Sequence, residues 1–249
     1  YIQKNVKDEN IKKKAINNLL YNLYNNDLYY TILLKKIEGV GRLKQYNNVK
    51  FVHGNHDDIN DILANLGIEK VDGILLDLGV SSYQLDERNR GFSYLGEAVL
   101  DMRMDRTNNP LTAKIVVNEY SYEKLVDIFY RFSEEKYAKP IAKAIIAARP
   151  INTTLELAEI IKNSVPISYR NKSHPARKVF QAIRIEVNHE LDILESSIRD
   201  AFDLLKVGGR LSIITFHSLE DKIVSKVFSE LCSDDPETRK LPIVPEHLK

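Results

Sequence analysis

Cysteine is all but missing from this chain of 249 residues, where Cys232 stands alone. A lone thiol excludes an intrachain disulfide framework and predicts a reducing, cytoplasmic setting. Charge of either sign is not in excess: 36 Lys and Arg face 35 Asp and Glu, for a formal net charge of +1. Whole-chain charge therefore selects neither nucleic acid nor an acidic partner, and an RNA-binding surface has to be a local basic cluster. No apolar run is long enough to span a bilayer. The opening YIQKNVKDEN lacks the basic-then-apolar pattern of a signal peptide. A GxxxxGK[ST] loop is absent, which argues against phosphate-loop hydrolysis. The histidines at 53, 56, 174, 189, 217 and 247 are scattered, and no metal-ligand spacing emerges.

What is present is a 43% hydrophobic fraction, enough over this length for one large domain or one domain carrying a smaller insertion. Ile11, Ala15, Leu19 and Leu23 recur at helical spacing and predict an early helix. VKFVHGN (49–55) reads as a short strand, and DDINDILANLG as a helix stopped by Gly67. VDGILLDLG (71–79) is apolar almost throughout, as a strand buried on both faces of a parallel sheet would be. Residues 180–205 carry apolar positions at helical spacing, Lys206 to Gly209 reads as a turn, and RLSIITFHS (210–218) as a further buried strand. Ser218 with Asp221 is placed to cap the next helix. This alternation predicts an α/β fold with 49–52, 71–77 and 210–216 in one parallel-rich sheet. Between the halves, over 106–178, strand signals vanish. There Ser121, Ser133 and the Thr153–Glu156 pair are candidate caps, and Pro140 is expected to kink its helix. The expected organisation is a helical insertion over 106–178 in a discontinuous domain made of 1–105 and 179–249.

Ligands of open α/β sheets sit beyond the carboxyl ends of the strands. Asp77 ends one strand, and His217 and Ser218 end another. A carboxylate there can hold a ligand amine or hydroxyl or accept a proton; it can equally serve as a helix cap. The stretch from Lys162 to Arg184 holds Arg170, Lys172, Arg177 and Lys178, no acid, and the interleaved Tyr169, His174 and Phe180. Cations neutralise phosphates and rings stack unpaired bases; a solvated helix face is the plainer alternative. GVGRL (39–43) lacks the third glycine of a dinucleotide loop and reads as a turn. Met102 and Met104 in LDMRMD read as packing.

Longer motifs say more. VDGILLDLGVSSYQLDERNRGFSY with LDMRMD, SHPARKVFQAIRIEVNHEL, and GGRLSIITFHSLEDKIV together resemble the signatures of the bacterial ribosomal small-subunit RNA (cytosine-N4) methyltransferase family. The similarity runs from about Arg42 to about Val227. It implies a Rossmann-like methyltransferase sheet with a helical substrate-recognition insertion. The implied cofactor is S-adenosyl-L-methionine, and the implied partner is 16S ribosomal RNA in the small ribosomal subunit. No membrane partner is implied, and a homodimer is left open. Carried over by motif, Asp77 and Gln84 match cofactor contacts, and His56 falls where the family usually has a phenylalanine beside the cofactor. His174, Arg177 and Lys178, with Ser218, match motifs lining the substrate cleft. Asp77 is the candidate carboxylate of the reaction, with His217 or Glu220 as second acceptor, and Arg103, Arg177, Lys178 and Arg184 are expected to hold phosphates.

The chain also departs from the family pattern. The early strand leading to a Gly-Gly-His loop and the ribose-binding acid are not found, with LLKKIEGVGRL and RLKQYNNVKFVHGN fused at Arg42-Leu43, and the family's closing Arg-Ser-rich segment is not reached. Weakened cofactor affinity is the expected result. A non-catalytic RNA-binding relative is one rival reading, and a small-molecule α/β enzyme another.

Overall fold

A computed structural model of the chain describes residues 30–33, 49–52, 54–80, 85, 87–171 and 174–232. In chain order the elements are β1 (Tyr30–Leu33), β2 (Val49–Val52), a 3-10 turn (His56–Asp58), α1 (Ile59–Asn65), β3 (Val71–Asp77), a second 3-10 turn (Arg88–Arg90), α2 (Ala113–Glu119), α3 (Tyr122–Ser133), α4 (Ala138–Ala147), α5 (Thr154–Asn163), α6 (Ile167–Arg170), α7 (Ala176–Asn188), α8 (Leu194–Asp203), β4 (Leu205–Ile214) and α9 (Ser218–Leu231). The early helix expected over Ile11 to Leu23 lies outside the described residues. Among the described residues, no helix is long and apolar enough to cross a membrane.

The chain divides into two compact units. The first holds Asn55–Leu78 and the chain from Leu194 on. Its centre is a parallel pair, β3 beside β4, with Asp77 opposite Ile214. α1 ends as expected: Leu66 caps it and Gly67 takes φ +70°, a conformation that suits glycine. The apolar side of the pair is covered by Leu194 and Ile198 of α8 and Val227 of α9, packed with Leu76 and Leu78. The expectation that β3 is buried on both faces is not met, since Leu75 is 37% exposed. β4 likewise alternates between half-buried Leu211 and Ile213 and exposed Ser212, the pattern of a pair covered on one side.

Nor is the segment Lys206 to Gly209 a turn before the strand; it lies inside β4 as a bulge. Leu205 pairs with Val71 and Arg210 with Gly73, so the longer path on β4 is absorbed opposite Asp72. Gly208 makes this excursion at φ +82°. A Cβ on Gly209 would stand 2.9 Å from the carbonyl oxygen of Lys206, closer than a side chain tolerates. Lys206 closes the bulge by holding the Asp72 carboxylate at 3.0 Å.

The second unit holds the β1–β2 pair, also parallel, and Gly79–Ile193. The expected single sheet is thereby corrected: β2 pairs with β1, not with β3 or β4. The strand YTIL at 30–33, β-branched at two positions, supplies the partner, downstream of the expected helix over Ile11 to Leu23. From Ala113 to Asn188 the described elements are all helices. The segment 106–178 lies within this unit, which also takes in 79–105 and 179–193.

The core of the second unit is aliphatic and aromatic, with Phe129, Leu125, Ile128, Ile141, Ile145, Leu157, Ile161 and Ile183 all buried. Side-chain caps start three of these helices, α2, α3 and α5. Ser121 accepts from the N–H of Lys124, and Thr153 with Glu156 forms the expected capping box. Two expectations fail locally. Ser133 caps nothing; it ends α3 and donates its hydroxyl to the Phe129 carbonyl. Pro140 lies in the first turn of α4, where its missing N–H costs no bond, and introduces no kink there. The single helix expected over 180–205 is two, because His189 takes φ +52° and ends α7.

Candidate active site

The first unit presents a carboxylate at the carboxyl end of its strand pair. Asp77 is the last residue of β3 and is exposed, and the next N–H, of Leu78, donates to the Ile214 carbonyl at 3.2 Å. Two residues beyond Ile214, Phe216 is 47% exposed. The ring opens the FHSLED match (Phe216 to Asp221) that the resemblance places at the substrate cleft, and it stands exposed directly after the strand.

His217, Ser218 and Glu220 prove to be parts of a helix start. The N-cap of α9 is His217, not Ser218, which is the exposed first residue of the helix. His217 Nδ1 accepts the Glu220 N–H at 3.4 Å, and the Glu220 carboxylate accepts the N–H groups of Phe216 at 2.7 Å and His217 at 3.3 Å. With Nδ1 an acceptor, the neutral ring carries its proton on Nε2, which faces Glu220 Oε1 at 3.3 Å. Glu220 is 2% exposed. A buried carboxylate that accepts two backbone N–H groups is a cap before it is a base.

His56, expected beside the cofactor, opens the 3-10 turn. Its Nδ1 lies 2.7 Å from the hydroxyl of Ser197 on α8, and Asn55 accepts its backbone N–H. Gln84 lies outside the described residues.

In the second unit, Arg103 is occupied by its own chain. Its guanidinium donates to Asp101 at 2.7 Å and to the carbonyls of Arg106 and Asn109 at 3.3 and 2.9 Å. Burial raises the Asp101 pKa, but Arg103 and Arg106 outweigh it and hold the carboxyl below its ordinary range. Met102 is fully buried at φ +58°, and Asn188 fixes the loop by donating to the Met102 carbonyl and accepting the Met104 N–H. LDMRMD is thus a locked structural turn, consistent with packing as the role of Met102.

Arg184 makes a two-pronged pair with Glu190 at 2.8 and 2.9 Å, and neither side chain is more than 16% exposed. Arg170 donates to the Val165 carbonyl, and Lys178 to that of Glu134 at 3.1 Å. His174 stacks on Tyr94 with ring centres 4.7 Å apart, and its Nδ1 accepts the Ala176 N–H. Burial pushes the His174 pKa down, helped by the positive charge of Lys162. Arg177 is exposed. The basic run at 162–184 therefore disperses: Arg170 and Arg184 serve the fold, Lys172 lies outside the described residues, and Arg177 presents its cation to solvent.

Among the described residues, no group of three or more His, Cys, Asp or Glu side chains could hold a metal ion. Ligands of open α/β sheets bind beyond the carboxyl ends of the strands, and Asp77 stands at that end of β3. The model of the MraW methylase family matches residues 35–249, and the chain belongs to that family of methyltransferases.

Proposed function

We propose that the chain transfers a methyl group from S-adenosylmethionine to the N4 amine of a cytidine in small-subunit (16S) ribosomal RNA. The observation that carries the reading is Asp77, an exposed carboxylate ending β3 in a chain of a methyltransferase family. In this reading the β3–β4 pair belongs to a discontinuous Rossmann-like methyltransferase domain of 1–105 and 179–249. Residues 106–178 are then the substrate-recognition insertion.

The cofactor's ammonium, ribose hydroxyls and flat base suit what this edge offers: a carboxylate at Asp77 and an exposed ring at Phe216. His56 is committed to Ser197, so it orients its own turn, and Asp77 is the residue assigned to the ligand. When bound, the sulfonium supplies an electrophilic methyl group. The cytosine amine is a weak nucleophile because its lone pair is delocalised into the ring. Asp77, accepting from its N–H, localises that pair and takes the proton released on methylation. His217 and Glu220 hold one another at the start of α9, and in this reading Asp77, at the carboxyl end of β3, is the acceptor. Arg177 would meet a phosphate.

The test is calorimetry with S-adenosylmethionine followed by nucleoside mass analysis of 16S RNA incubated with the chain and cofactor. Cofactor binding with N4-methylcytidine supports the reading. RNA binding with no cofactor uptake identifies a non-catalytic relative, and binding of neither would refute both.

A further inference from the structure

We infer that a second basic surface, running from Lys178 of the 162–184 stretch onto α4, docks the phosphate backbone of structured RNA: a track formed by Lys178, Lys136, Lys139 and Lys143. The inference rests on the RNA reading above and extends it to α4 and the turn before it.

α4 reads AKPIAKAIIA and contains no carboxylate. Ala138, Ile141, Ala142 and Ile145 face the core, while Lys139 and Lys143, one helical turn apart, are exposed. Like charges at this spacing repel by a few tenths of a kcal/mol. Other exposed cations of the unit are neutralised by a near neighbour on their own helix, as Arg131 is by Asp127 and Lys162 by Glu159, though among the described residues Arg177 is not. Lys139 and Lys143 have no such partner among the described residues.

The track continues past the head of α4. Lys136 is exposed, with its ammonium 4.9 Å from the ring centres of both Tyr137 and Tyr169. Those rings are fixed from beneath. The buried Glu135 accepts the Tyr169 hydroxyl at 2.7 Å and the Tyr137 N–H at 2.9 Å. Lys178 joins from α7, donating to the Glu134 carbonyl two residues before Lys136. Glu134 is itself exposed and is the carboxylate at this end of the track. A row of ammonium groups, two of which (Lys139 and Lys143) have no acidic partner among the described residues, flanked by tyrosine rings, suits a chain of anions that also carries flat bases. An acidic protein would use the charges but leave the rings unused.

The test uses the full chain, a 16S RNA transcript and a salt series from about 50 to about 200 mM KCl. A combined Lys136→Ala, Lys139→Ala, Lys143→Ala variant should bind RNA roughly tenfold more weakly at the low-salt end. Its log–log salt slope should be flatter by about two, since each phosphate no longer neutralised removes about 0.7–0.9. The three-arginine counterpart should restore both. Cofactor affinity and melting temperature should not move, since all three side chains are exposed. An unchanged slope in a variant of a chain that does bind RNA would overturn the track alone. Failure of the unsubstituted chain to bind RNA would overturn the RNA reading and the track with it. Weakened binding to polyglutamate with RNA affinity intact would also overturn the track.

Discussion

Glu220 faces His217 across the first turn of α9, Oε1 3.3 Å from Nε2, while its other oxygen holds the Phe216 N–H. The contact joins the end of β4 to the start of a helix. Glu220→Ala removes a capping box and leaves the N–H groups of Phe216 and His217 without their acceptor. The expected loss is about 1–2 kcal/mol of stability, read from urea denaturation. Glu220→Gln, which keeps an acceptor oxygen, should recover part of it. A large fall in methyl transfer by Glu220→Gln at unchanged stability would instead make Glu220 a base.

Arg184 and Arg177 lie on the same helix and should behave oppositely. Arg184→Ala strips Glu190 of both short hydrogen bonds and is expected to cost about 2–3 kcal/mol. Its effect on RNA affinity, measured on the folded fraction, should be small. Arg177→Ala should leave the melting temperature in place and reduce RNA affinity with a flatter salt dependence. Equal losses of stability in both would remove Arg177 from the binding surface.

Asp77→Asn keeps the size and much of the hydrogen bonding of the side chain and removes its charge and its capacity to take a proton. Methyl transfer should fall by at least about a hundredfold, within the range typical of lost acid–base catalysis. The melting temperature should shift by no more than a degree or two, as for an exposed position. Turnover within a few-fold of the original would move the acceptor elsewhere.

His174 gives a signature in pH. Its folded-state pKa lies below its ordinary 6.5 because of burial and then Lys162, so below 6.5 the unfolded chain binds the proton more readily than the folded one. Its contribution to stability is therefore complete above about 6.5 and is lost as pH falls towards and through the folded pKa. Denaturation midpoints at pH 7.5 and 5 should differ more for the native chain than for His174→Gln. Equal differences would show that other groups set the acid limb.

Residue patterns read the local elements well wherever one residue decides them. Gly67 ends α1, Thr153 and Glu156 start α5, and the carboxyl end of β3 falls at Asp77. They failed where a decision belonged to a distant partner. That β2 takes β1 is settled by strand pairing, which periodicity does not encode. The split of one expected helix at His189 rests on a left-handed residue that histidine seldom marks. The arginines were misjudged for a similar reason. Sequence counts cations, but only the folded chain shows that Arg103 is already bound by Asp101 and Arg184 by Glu190. Lys136, Lys139 and Lys143 were missed because they lie among apolar residues rather than in a basic run.

The bulge opposite Asp72 has a consequence for the evolution of this chain. Because strand side chains alternate between faces, one residue more or fewer between Leu205 and Arg210 can shift every later β4 residue by one step relative to β3. Ile214 would no longer stand opposite Asp77, and the ring of Phe216 would leave the position it now holds after the strand. The Lys-Val-Gly-Gly segment thus acts as a phase setter. It should accept exchanges of residue at Val207, which is fully exposed, and reject both changes of length and side chains at Gly208 and Gly209.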